Sequence, residues 1–96
     1  MRLPKHLTVL GKRCRIKEVP ELNKHGIMGQ YNPVDSSIMI DKGLRGNEQL
    51  VTVLHELFHA ALHHISANQA VNPDVEEIIV DNLAKVVVEN FKLNKK

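Results

Sequence analysis

Four of the chain's six histidines fall within residues 53–65, "VLHELFHAALHHI". Inside that stretch His55-Glu56-Leu57-Phe58-His59 has the form H-E-x-x-H. On a helix, residues four apart stand one turn apart on the same face. Two imidazoles so placed can each give one ring nitrogen to a single zinc at about 2.0–2.1 Å. Glu56 follows His55 by about 100° around the helix, toward the open side of such an ion. There it can take a proton from an attacking water and hand it to a leaving group. The plainer alternative is a histidine-rich helix with satisfied rings at the border of the core and a solvated Glu56.

A zinc that keeps a position open needs a third protein ligand. Continuations of the motif that recruit a further histidine from the same helix require one at position 65, and the chain has Ile65 there. His63 and His64 are out of register. A carboxylate from the next periodic segment is the remaining source. Glu77 shares a helical face with Val80, Ala84 and Val88, and Asp81 follows it one turn later. The pair has the thermolysin-like form E-x-x-x-D, in which the glutamate binds zinc and the aspartate steadies a ligand histidine through its other ring nitrogen. Glu76 is in phase with Leu83 and Val87, so helical phase alone leaves both glutamates open; Asp81 favours Glu77. The ordinary role of acids in a first helical turn, as partners of the helix dipole, applies to both.

These residues need elements to hold them. From Glu48 to about Ile65 there is no glycine or proline, and Asn47 is placed to cap a helix there. Its apolar residues cover most of the circumference, as in a buried central helix. Only Gln49, Thr52, Glu56 and His63 form a polar stripe, with His55 and His59 at its border. Asn72-Pro73-Asp74 reads as cap, N1 proline and first-turn acid of a second helix running to about Phe91. Its inward stripe is expected to be Val80, Leu83, Ala84, Val87, Val88 and Phe91, with Ile79 nearby. Lys92, Lys95 and Lys96 then suit a helix C-terminus.

The first half reads as short strands: 7–10, 13–19, 27–31 and 36–40. Residues 21–26 are a single helical turn or a loop. Asn32-Pro33-Val34-Asp35 is the turn of an antiparallel hairpin. Strands early and helices late predict an α+β fold, a short, mostly antiparallel sheet packed on two long helices, as one domain over 1–96.

Composition narrows the function classes. Net charge is +2, and the only aromatics are Tyr31, Phe58 and Phe91. A single-stranded nucleic-acid binder would add stacking aromatics to its basic residues, so nucleic acid is not an expected partner. Cys14 is the only cysteine, which excludes a disulfide within one chain. It is expected to be a small buried hydrophobe. No stretch reaches the 18 or so apolar residues of a membrane span or resembles a signal h-region. The expected setting is the cytoplasm.

Residues from about Gly29 to Phe91 resemble the small phage and prophage metallopeptidases related to the ImmA/IrrE group. The likeness lies in the order "GQYNPVDSSIMI", "TVLHELFHAALHHI" and "EEIIVDNLAKVVVENF". It implies a minimal zincin-like core, with His55, His59 and Glu77 as metal ligands and Glu56 as general base. The expected activity is zinc-dependent hydrolysis of a peptide or protein substrate, in a host cytosol if phage-encoded. The competing class is a metal-stabilised interaction or regulatory module that cuts nothing. A fourth protein ligand would favour the module, and an open position beside the 36–40 strand the enzyme. Tyr31 and that strand are the expected place for an extended peptide to add. His63 is either a cleft residue or a solvated surface histidine.

Overall fold

The computed structural model describes residues 3–65 and 70–91. The expected role of Lys92, Lys95 and Lys96 therefore lies outside the described residues, as does part of the loop between the helices.

Four strands and two helices follow the expected order: β1 (His6–Val9), β2 (Lys12–Val19), β3 (Gly29–Asn32), β4 (Ser37–Asp41), α1 (Gly46–His64) and α2 (Pro73–Asn90). The α+β class stands. Val9 pairs with Lys12 across a two-residue turn, Leu10-Gly11, in which both residues have positive φ. That turn twists with its strands, and it takes Leu10 out of the strand expected over 7–10. A 3-10 turn, Leu22–His25, follows β2 and ends at Gly26 with φ +74°.

The sheet order is β1-β2-β4-β3. Two of its three pairings are antiparallel, but β2 and β4 run parallel, with Ile16 beside Ile38 and Glu18 beside Ile40. A parallel pair needs a crossover connection, usually a helix. Here the 3-10 turn and β3 carry it. Asp41, buried at the end of β4, holds that crossover in place. Its carboxylate accepts from the Leu22 N–H at 3.1 Å, and its own N–H donates to the Met28 carbonyl at 2.8 Å. The central strand of the hairpin is thus β4, and β3 is the edge. This corrects the expectation that the 36–40 strand borders the groove.

Alternation sorts β2 into Cys14 and Ile16 inward and Arg13, Arg15 and Lys17 outward. Cys14 is buried, as expected. Ile38 and Ile40 are fully buried with it, between the sheet and α1.

The helices form successive layers. The α1 helix lies on the sheet, and α2 packs chiefly on α1. Arg45 occupies the α1 N-cap without a side-chain cap, so Asn47 falls inside the first turn and does not cap it. The α2 start is as read: the Asn72 side chain accepts from the Asp74 N–H at 2.8 Å, and Pro73 follows at N1. The buried line of α2 is Val80, Ala84 and Val88. Ile79, Leu83 and Phe91, expected to face inward, are exposed. A helix resting on one neighbour buries a narrower stripe than one wedged between two.

Candidate metal centre

The polar stripe of α1 decides the site. Gln49, Thr52 and Glu56 are buried, with Thr52 turned toward the edge strand. The contact is close because β3 has glycine there: a Cβ on Gly29 would come within 2.8 Å of Thr52 Cγ2. The small residue lets helix and strand approach. Glu56 is thereby brought to the Tyr31 backbone N–H. Burial pushes the Glu56 carboxyl up from the ordinary carboxylate range, while His55, His59 and that N–H pull it down and Glu77 adds to the rise.

His55 and His59 project from α1 toward α2 with their Nε2 atoms 3.2 Å apart. Glu77 reaches both, Oε1 at 3.0 Å from His55 Nε2 and Oε2 at 2.9 Å from His59 Nε2. These three expected ligands form one group of potential metal donors, and no fourth histidine, cysteine or carboxylate joins it among the described residues. Tetrahedral ligands at about 2.0–2.1 Å stand about 3.3 Å from one another. The 3.2 Å between the two Nε2 atoms fits that spacing, and Glu77 meets each histidine with a different carboxylate oxygen.

The opposite ring nitrogens explain why the donors fit a cation. Glu76, half-buried, places Oε2 at 2.5 Å from His59 Nδ1. A carboxylate there assigns the proton to Nδ1 and leaves Nε2 as a lone pair. Asp81 lies 3.6 Å from His55 Nδ1 and is itself held by Lys85 at 2.9 Å. The Lys85 hydrogen bond is the first cause that holds the Asp81 carboxyl below its ordinary range, with a smaller contribution from His55. His55, His59 and Glu77 thus make up a group of side chains that could hold a metal ion.

The expected aspartate lies by His55, but the close carboxylate–imidazole contact belongs to Glu76, which the sequence analysis treated only as a rival ligand. The available signal was that Glu76 and Glu77 are both in reach of an inward arc, so that one can bind while the other orients.

Two clefts meet at Glu56. One, of about 440 Å³, lies on the His55 side and is bounded by Met28, Gly29, Val51, Asp81 and Lys85. The other, of about 370 Å³, lies on the His59 side between Tyr31, Pro33, His63 and Glu77. His63 is exposed there, edge-on to Tyr31 with ring centroids 5.9 Å apart. Gly29 and Glu56 border both clefts.

No protein-family model matches the chain, and neither a curated protein nor a solved structure shows significant similarity to it.

Proposed function

We propose that the protein is a zinc-dependent peptidase with His55, His59 and Glu77 as metal ligands and Glu56 as general base. The observation that carries this reading is the convergence of the three donors at 2.9–3.2 Å, with Glu76 on the back of the His59 ring. A bound zinc would supply Lewis acidity toward a peptide carbonyl and make water acidic enough to be deprotonated near neutral pH.

Glu56 does the proton work. Burial raises its basicity, and its place where the two clefts meet puts it beside the bond of any chain lying across them. It accepts a proton from the attacking water and delivers it to the departing amine, so the carboxylate is regenerated each turn. Glu76 orients the His59 ring, and Asp81 lies beside that of His55.

The strand β3 supports peptide as the substrate class. It is a sheet edge. Met28, whose carbonyl accepts from Asp41, faces β4. Antiparallel alternation then turns the backbone groups of Gly29 and the Tyr31 carbonyl outward, while the Tyr31 N–H meets Glu56. An extended peptide can pair there with little demand on its sequence. The same open side favours an enzyme over a metal-stapled module, because no fourth protein donor closes the group among the described residues.

The test is Glu56→Gln. The variant is expected to bind one zinc as the parent does and to lose about 10²–10⁴-fold in cleavage of an unstructured peptide library. Cleavage equal to the parent's in a zinc-replete assay would overturn the assignment.

A further inference from the structure

The outer face of α2 is largely apolar and is not covered by any of the described residues. Val75, Ile78, Ile79, Leu83 and Val86 lie opposite its buried line, each 46–64% exposed. At 100° per residue they span an arc of about 140°. A helix apolar on both faces is ordinarily enclosed on both. Here the sheet and α1 enclose only one.

Four of these residues are mirror-related along the helix, Val75 with Val86 and Ile78 with Leu83. Positions 75, 78 and 79 are mirrored by 86, 83 and 82 about a point between Val80 and Asp81. Five of the six are aliphatic, and the sixth, Asn82, turns its amide back to donate to the Ile78 carbonyl at 2.7 Å. No charged residue occupies these six positions, and the exposed Glu89 falls within the same arc between Ile78 and Val75. An antiparallel twofold pairing would set Val75 against the other copy's Val86, and Ile78 against its Leu83. That is the self-complementarity an isologous interface requires.

We infer that this face of α2 is a homodimer interface, in which two copies pair their α2 helices antiparallel about a twofold axis. The exposed aliphatic surface is on the order of 400–500 Å² per copy, the size of a functional apolar patch. Two such faces with their flanking polar side chains approach the roughly 1,000 Å² that a specific interface needs. Glu77 projects from the opposite side of α2. The inference is independent of the proposed activity.

The experiment is sedimentation equilibrium on the full chain, on Val75→Lys, on Val86→Glu and on the variant carrying both changes. The parent is expected at twice the 10.9 kDa of one chain in the micromolar range. Each single change is expected to give one chain, with circular dichroism unaltered. The combined variant is expected to recover at least tenfold in association, because each new ammonium then faces a new carboxylate of the other copy. A parent that stays at the mass of one chain up to submillimolar concentration overturns the inference. So does a combined variant that associates no better than the single ones, since that excludes the antiparallel register.

Discussion

Glu76 and Glu77 are consecutive in α2, yet they engage opposite edges of the same imidazole. Glu77 Oε2 lies 2.9 Å from His59 Nε2, and Glu76 Oε2 lies 2.5 Å from His59 Nδ1. The first contact belongs to the converging donor set, and the second sets the tautomer that makes the donor available.

The two glutamates should therefore fail differently. Glu77→Ala removes a donor and is expected to abolish tight zinc binding. Glu76→Ala keeps all three donors and is expected to weaken zinc binding about 10–100-fold. Competition with a chromophoric chelator measures both. Equal losses in the two variants would show that Glu76 does more than orient His59.

The approach of α1 to the edge strand makes Gly29 sensitive. In Gly29→Ala the new methyl meets Thr52 Cγ2 at 2.8 Å, with Ile40 Cδ1 and the Met39 carbonyl at 3.2 Å. Thr52 cannot easily turn away, because its hydroxyl donates to the Glu48 carbonyl at 2.8 Å. The expected cost is about 1–3 kcal/mol. Adding Thr52→Ser removes the methyl, keeps the hydroxyl and should recover part of the loss. Urea unfolding of the two single variants and the double variant gives the coupling. Purely additive effects would place the strain elsewhere.

Cys14 supplies a pH dependence. Burial pushes its thiol pKa up, and Asp35 adds to the rise. The folded state thus favours the neutral thiol. The stability this contributes is fully present below the unfolded thiol's pKa of about 8.5 and is lost as pH rises through the higher folded value. Between pH 8 and 10 the parent should lose more stability than Cys14→Val, as read by the urea midpoint of each. In the native state at pH 8 the thiol should resist a disulfide reagent that reacts with one equivalent in denaturant. Fast native labelling would contradict the burial.

The candidate site's first two residues were legible along the chain because their spacing is local. His55 and His59 share a face by the period of one helix, and Asn72-Pro73 marks the start of α2 through its own cap. Both depend on residues within a turn or so of each other. The pairing of strands depended on contacts far apart in sequence. Whether β3 or β4 became the edge was settled by the parallel union of β2 with β4, which local alternation does not encode. The roles of Glu76 and Glu77 required the rotation and height of α2 against α1, since both residues lie within the arc that can reach the histidines. The same rotation left Ile79 and Leu83 outside the core. Periodicity tells which residues travel together around a helix; only packing determines which neighbour each side meets.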